Sequence, residues 1–233
     1  MIYNTEGQSR SLCKDKVTLI TVLDMHLSPV TPASRKDDYA EATEEAWGQI
    51  LRFAEKVGAE AILLAGDIYH LKTASRNPPG FLRRNIKMFK DAQRKGIDVL
   101  AIAGNHDLTF GSLVSLDNQP IGVLVEAEAV HLLDGKPVVY NAKGFSVKVA
   151  GGSFNHSQAA HVRDLKKEGA DRLVAMGHFW YGPETGEYFG EPVYGPGFFK
   201  GSEADVLVIG HHHADMGMPT IDGKVYCVHG PIS

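Results

Sequence analysis

Apolar residues cluster along the chain in short unbroken runs rather than strict alternations, and most of the runs stop abruptly at a polar residue. Val17–Leu23 and Ala61–Ala65 are β-branched or aliphatic throughout, and Asp98–Ala103 is so after its first residue. That is the pattern of strands covered on both faces. Between them Tyr39, Ala42, Ala46, Ile50, Phe53 and Val57 recur at three- and four-residue steps. They predict an amphipathic helix over 37–57, ending at Gly58. A second helix is predicted over 81–95, entered through Asn77-Pro78-Pro79-Gly80 and closed by Gly96. The order β-α-β-α-β implies a parallel sheet with crossover helices, in which ligands gather at the carboxyl ends of strands. Downstream, Gly122–Leu133, Pro137–Asn141 and Phe145–Ala150 read as short strands, Ser157–Glu168 as a helix, and Leu173–Met176 and Val206–Ile209 as strands. Phe179–Phe199 has no periodicity and reads as a loop over the strand ends. Met218–Val228 reads as a terminal hairpin around Asp222-Gly223. Residues 1–15 form a polar lead-in expected to be loosely held; no repeat or linker interrupts 16–233, which is expected to be a single domain.

The composition changes this picture little. A hydrophobic content of 43% and a charged content of 22% are ordinary for a globular α/β chain, and the net charge of −4 offers no global attraction for nucleic acid or membrane. A polyanion would have to be met by a local patch or by bound metal. The only cysteines, Cys13 and Cys227, provide neither a disulfide framework nor a thiolate metal motif. With no signal-peptide pattern and no long apolar run, a reducing, cytoplasmic location without membrane contact is the expectation.

What stands out is where the runs end. Val17–Leu23 leads into Asp24-Met25-His26, Ala61–Ala65 into Gly66-Asp67, and Asp98–Ala103 into Gly104-Asn105-His106-Asp107. Leu173–Met176 leads into Gly177-His178, and Val206–Ile209 into Gly210-His211-His212-His213. Asp, Asn and His without thiolate suit Mn²⁺, Fe²⁺, Zn²⁺ or Co²⁺ better than Ca²⁺. Asp24 and His26, like His211 and His213, are two residues apart and can turn to one side of a strand end. Asp67 can bridge two ions, and Asn105 and His178 complete a set for a pair of sites. Two ions roughly 3.5–4 Å apart activate water and stabilise in-line displacement at phosphorus. The glycines are expected to let backbone and phosphate approach closely. His106, outside the ligand set and followed by Asp107, is the candidate acid for the leaving group, with Asp107 orienting it.

These five segments resemble the motifs of the calcineurin-like metallophosphoesterase superfamily. The resemblance implies an α/β fold, a four-layer α/β/β/α sandwich with two divalent metal ions at the strand ends, manganese foremost, with iron, zinc or cobalt as alternatives. It also implies that Asp24, His26, Asp67 and His213 hold one ion and that Asp67, Asn105, His178 and His211 hold the other. Hydroxide on the metals would then attack phosphorus while His106 steadies the leaving oxygen. His212 falls between two ligands and is left out.

Within that superfamily, Gly66-Asp67-Ile68-Tyr69-His70 followed by Ser75-Arg76 is similar to the DNA-repair nucleases of the SbcD and meiotic-recombination-eleven type. So are Arg35-Lys36-Asp37-Asp38 and the final Val228-His229-Gly230-Pro231-Ile232-Ser233. That resemblance implies a DNA exo- or endonuclease, DNA as substrate, an SMC-like ATPase as partner, and a homodimer paired through the 37–57 and 81–95 helices. Two departures are Ala74, where that family has proline, and the absence after Ser233 of its DNA-capping domain and ATPase-binding tail. The purple acid phosphatase pattern needs tyrosine three residues after the bridging aspartate; His70 stands there, and is expected to orient a ligand from behind. Further candidates for substrate contact are Arg76, Trp180 and Tyr181, the last two by stacking on a base. Arg83, Arg84, Lys87, Lys90, Arg94 and Lys95 form a candidate basic face. His161 reads as structural, and His156 as an outlying candidate after Gly151-Gly152-Ser153. A phosphatase or cyclic-nucleotide phosphodiesterase acting on a small substrate is the alternative of the same chemistry, and a non-catalytic metal-binding scaffold the alternative of another class.

Overall fold

Strands that are apolar on every residue need cover on both faces, and two stacked sheets flanked by helices provide it. The computed structural model describes residues 8–33, 35–155 and 157–231. One sheet is parallel throughout, in the order β2 (Leu19–Val22), β3 (Ala61–Ala65), β4 (Asp98–Ile102), β5 (His131–Leu132). The other runs β1 (Gln8–Ser11), β6 (Val138–Ala142), β7 (Phe145–Gly151), β8 (Arg172–His178), β11 (Val206–Gly210), β13 (Lys224–Cys227), β12 (Thr220–Ile221). It is antiparallel only at the β6/β7 and β12/β13 pairs. A short hairpin, β9 (Gly186–Tyr188) with β10 (Glu191–Val193), stands apart from both sheets.

The two-residue period of a strand sorts the apolar residues into layers. Ala61, Leu63 and Ala65 of β3 and Leu100 and Ile102 of β4 face the second sheet. There they meet Val147 and Val149 of β7, Val174 and Met176 of β8, and Val208 of β11. Their alternates Ile62, Leu64, Val99 and Ala101 face α1 (Tyr39–Val57), α2 (Pro79–Arg94) and α3 (Pro120–Glu126), against Trp47, Phe89 and Leu124. On the far side Leu173, Leu207 and Ile209 pack under α4 (Gln158–Asp164) and the segment containing Phe179 and Phe199. The result is the expected helix–sheet–sheet–helix layering. A partly buried hydrogen bond from Tyr140 Oη to Asp98 Oδ2, 2.7 Å, ties the two sheets together.

Local chemistry explains the boundaries. The Asp38 side chain accepts from Glu41 N, so α1 starts at Tyr39 and not at 37, and Gly58 closes the helix at φ 65° as expected. Helix α2 begins two residues before its expected start because Pro79 occupies the first turn, where its fixed φ and missing N–H are harmless.

Four expectations are corrected. Gly122–Leu133 is not a strand: Pro120 starts a helix whose buried Ile121 and Leu124 lie three apart, and only His131–Leu132 is extended. A short apolar run does not distinguish helix from strand by period alone. The 157–168 helix stops at Asp164, since Leu165 turns to ψ 141°. The 179–199 segment carries the β9/β10 hairpin and a 3₁₀ turn at Pro196–Phe199. The lead-in is not loose over Gln8–Ser11, which pairs in parallel with β6. The terminal hairpin is as expected.

Leu63, fully buried between the sheets, gives a direct test of that interface. Leu63→Ala should cost about 2–5 kcal/mol, read as a lowered urea midpoint at unchanged slope. A loss below about 1 kcal/mol would contradict close packing of the two sheets.

Candidate metal centre

Parallel strands expose their carboxyl ends together, and β2, β3, β4, β8 and β11 all deliver their following residues to one rim. Asp24 and His26 follow β2, Asp67 follows β3, Asn105 and His106 follow β4, His178 ends β8, and His211 and His213 follow β11. The backbone there is bent away from extended structure. Asp24 (φ 48°), His26 (φ 48°), Asp67 (φ 46°) and His211 (φ 88°) all lie in the left-handed region, which is unfavourable for residues with a Cβ. Four of the seven candidate ligands therefore carry backbone strain that the surrounding packing must maintain.

The side chains converge in two groups that share a centre. Asp24, His26 and His213 form one and Asp67, His178 and His211 the other, the ligand atoms within each lying within 4.8 Å of one another. His26 Nε2 is 3.2 Å from His213 Nε2. His178 Nε2 is 3.1 Å from Asn105 Oδ1, and His211 Nδ1 is 3.0 Å from the same oxygen. Asp67 stands between the groups, with Oδ2 3.7 Å from His26 Nε2 and Oδ1 3.3 Å from His178 Nε2. His178 Nδ1 must donate to the Ala65 carbonyl at 2.9 Å, which turns Nε2 toward the other acceptors. Nitrogen lone pairs and carboxylate oxygens at such separations repel unless a proton or a cation lies among them. The donor set thus fits divalent ions of the borderline type.

The protonation pattern agrees. Burial pulls His26 down to about 4, against the opposing pull of Asp67. Burial together with His178 takes His211 down to about 3. Burial would also lower His178, but Asp67 and Asp24 outweigh it and raise the ring to about 9. Burial raises Asp24. Burial would raise Asp67 as well, but the neighbouring imidazoles, His178 first, hold it below the usual carboxylate range. A proton held on His178 Nε2 would face Asn105 Oδ1 and Asp67 Oδ1, at 3.1 and 3.3 Å.

Two glycines have a different purpose from the one expected. A Cβ on Gly104 would collide with the Asp67 side chain and backbone nitrogen, and one on Gly66 (φ 89°) with the His178 ring. They make room for candidate ligands rather than for phosphate.

Other expected roles divide. Asp107 does not orient His106. It is fully buried, and its carboxylate accepts from the backbone N–H of Ile68 (3.0 Å), Tyr69 (2.9 Å) and Gly104 (2.9 Å), bracing the two loops that carry Asp67 and Asn105. Burial and the Asp67 charge push it up to about 7 despite those three donors. What orients His106 is the carbonyl of His70, 3.0 Å from Nδ1, with the two rings stacked at 5.5 Å. His70 therefore positions His106 through its main chain. Its ring also joins His26 and His106 in a third group of three imidazoles. Arg76 is exposed, close enough to His70 to depress its ring further after burial and His106. Trp180 lies against His211, 4.5 Å between ring centroids. Tyr181 is buried and stacked on Tyr226 at 5.3 Å, a core position more than a substrate contact. In the basic face, Arg84, Arg94 and Lys95 are paired with Glu44, Asp91 and Glu55. His161 packs its ring beside Gly152, and His156 lies outside the described residues.

Two clefts flank His106. One of about 720 Å³ is bounded by Asp67, His211, Trp180 and the β9/β10 hairpin. The other, of about 490 Å³, is bounded by His26, His70, His213, Arg35 and Tyr39. The hairpin wall and the Arg35–Tyr39 wall escaped the sequence reading. The hairpin has no periodicity, and Arg35 entered only as part of a family segment.

With this geometry in place, comparison with known proteins is informative. The calcineurin-like phosphoesterase family model matches residues 22–215, most of the chain, and the chain belongs to that family of metal-dependent hydrolases. Similar solved folds include a dimetal phosphatase from Danio rerio, at 12% identity and TM-score 0.55 over 93% of this chain and 88% of that one. Another is a provisionally assigned 5′-nucleotidase from Staphylococcus aureus in complex with α-ketoglutarate, at 14% identity and TM-score 0.54 over 92% of this chain. The chain spans about half of that protein's length (48%). At such identities both show the fold alone. No curated protein matches the sequence. No helix among the described residues is long and apolar enough to cross a membrane.

Metal loading must displace the proton on His178. Calorimetric titration of the metal-free protein with Mn²⁺ or Zn²⁺ at pH 7.5, repeated in buffers of different ionisation enthalpy, should show release of about one proton that is absent in His178→Asn. Release unaffected by that substitution would contradict the placement of the proton.

Proposed function

We propose that the chain hydrolyses phosphate esters of small alcohols at two divalent ions, one held by Asp24, His26, Asp67 and His213 and the other by Asp67, Asn105, His178 and His211. The observation that carries this is the pair of donor groups sharing Asp67, with His106 beside them. Bound there, the ions would supply Lewis acidity toward the phosphoryl oxygens and the acidity that makes water nucleophilic near neutral pH. The rest falls to the side chains. Asp67 accepts from the His106 backbone N–H at 2.8 Å, so the bridging carboxylate and the candidate acid are fixed to one another. The His70 carbonyl holds the proton on Nδ1 of His106, leaving Nε2 without a hydrogen-bond partner among the described residues, at the boundary of both clefts. Once protonated, Nε2 can donate to the departing alkoxide.

A DNA nuclease is the second reading, favoured by the Gly66–His70 segment and by exposed Arg76 near the His70/His106 pair. Against it, the helix expected to meet a phosphate backbone has three of its cations paired with carboxylates. The hairpin bounding the larger cleft adds Glu184 and Glu187, which repel a polyanion. A scaffold without activity is disfavoured by an intact donor set, since loss of chemistry would relax the strained positions.

Hydrolysis of aryl and alkyl phosphomonoesters, a small phosphodiester, and single-stranded and duplex DNA, each with Mn²⁺, Mg²⁺ or EDTA, separates the readings. Metal-dependent turnover of small esters with DNA intact is the expected result; metal-dependent DNA cleavage lost in Asp67→Ala would establish the nuclease instead. His106→Ala should lower turnover of alkyl esters by about a hundred- to ten-thousand-fold. Nitrophenyl esters, whose leaving group needs little protonation, should lose far less, at unchanged metal content. Equal losses on both ester classes would remove His106 from the acid role.

A further inference from the structure

The larger cleft has a wall that the hydrolytic chemistry does not need. The segment after His178 leaves the rim, forms the β9/β10 hairpin and returns. Its root is a pair of backbone bonds, Tyr194 N to Trp180 O (2.9 Å) and Gly182 N to Tyr194 O (3.2 Å). The Trp180 ring thus stands at the base of the hairpin, between His211 and Tyr188, with centroid distances of 4.5 and 5.0 Å. Tyr188, half exposed, continues the aromatic surface outward to Phe189, 4.5 Å further. The tip is made at a cost. The two-residue turn needs positive φ at both positions, and Phe189 (φ 51°) precedes Gly190 (φ 82°) where asparagine or aspartate is the usual choice. An aromatic residue 89% exposed on strained backbone, at the tip of a hairpin whose Glu187 and Tyr188 border the cleft, serves neither folding nor solubility.

The charge of the wall is equally informative. Glu184 and Glu187 border the cleft, and neither has an ion-pair partner among the described residues. A volume of about 720 Å³ is that of a small-molecule site. Aromatic faces beside a phosphoryl-transfer centre, ringed by unpaired carboxylates, suit a ligand that is anionic at one end only.

Resting on the phosphoesterase reading above, we infer that this cleft selects phosphate esters whose alcohol carries one flat ring system and no further negative charge, a nucleoside monophosphate being the simplest class. Trp180 and Tyr188, packed edge to face at 5.0 Å, offer the ring one continuous aromatic wall, and Glu184 and Glu187 exclude additional anionic groups and accept from ring N–H donors. The phosphate end reaches the metal groups past His211 and Asp67, which border the same cleft. The role of the hairpin is specificity, exerted on the part of the substrate that does not react.

The test compares esters with chemically similar alkyl leaving groups, adenosine 5′-monophosphate and glycerol phosphate, on the metal-loaded full chain. Trp180→Ala and Tyr188→Ala should each lower the ratio of kcat/KM for the nucleotide over glycerol phosphate by about tenfold or more, mainly through KM. A ratio unchanged in both variants, with both esters still hydrolysed, overturns the inference and leaves the phosphoesterase reading standing. Binding without turnover separates the two claims further. In calorimetry, phenylphosphonate should bind about tenfold or more tighter than methylphosphonate, and 4-carboxyphenylphosphonate more weakly than phenylphosphonate. The last difference should narrow when Glu184→Gln and Glu187→Gln are combined. That pattern in a protein that hydrolyses neither ester would uphold the ring-binding cleft and sink the hydrolase reading. Equal affinity for phenyl- and methylphosphonate would sink the ring-binding cleft.

Discussion

The constraint on which the rest of this structure depends is electrostatic: acceptor atoms from two sheets are brought face to face where they repel. His178 Nε2, His211 Nδ1, Asn105 Oδ1 and Asp67 Oδ1 come within 3.0–3.3 Å of one another along the measured pairs. Nothing in that group favours the arrangement without a proton or a metal ion among them. It persists because three of its members are fixed elsewhere: His178 by the Ala65 carbonyl, Asp67 by the His106 N–H, and His211 by donating its own N–H to Asp24 at 3.0 Å. The stacked sheets are the frame that withstands the repulsion. Their shared apolar layer runs directly beneath the rim, from Leu63 and Ile102 on one side to Met176 and Val208 on the other.

Asp107 shows how the frame is transmitted to the site. A fully buried carboxylate is costly unless it is satisfied by donors, and here three backbone N–H groups from two loops meet it. Two of them, Ile68 and Tyr69, immediately follow Asp67, and the third, Gly104, precedes Asn105. One side chain thereby fixes the spacing between a candidate bridging ligand and a ligand of the second group. His106 comes out of the same turn and is oriented by the carbonyl of the loop opposite, at His70. The candidate acid, the candidate bridge and the brace are thereby tied to one another by hydrogen bonds. The hairpin bordering the larger cleft hangs from a different strand end.

The strand-end donors were legible because they obey a local rule: an apolar run that must be buried ends at the rim, so a polar residue placed just beyond it is presented there. Five repetitions of that rule in one chain specify the site whatever the tertiary details. The parallel order of β2, β3 and β4 and the closing glycine Gly58 were legible for similar reasons, since period and turn chemistry act within a few residues. The partner of His106 was not, because adjacency in sequence suggested Asp107, whereas the bonding partner lies 36 residues away.

What the sequence determined by itself was the class of layered α/β fold, the identity of the donors and the kind of metal chemistry they suit. Only the tertiary structure decided which acceptor each histidine faces, and that Asp107 braces loops instead of orienting the candidate acid His106. It also decided that Gly66 and Gly104 make space for side chains, and that an aperiodic stretch forms an acidic, aromatic wall over one cleft. The physical reason is separation along the chain. Burial and strand-end exposure are set by a residue and its near neighbours. Repulsion between lone pairs, the direction of a hydrogen bond and the charge of a cleft wall depend on groups that only the stacking of two sheets brings together.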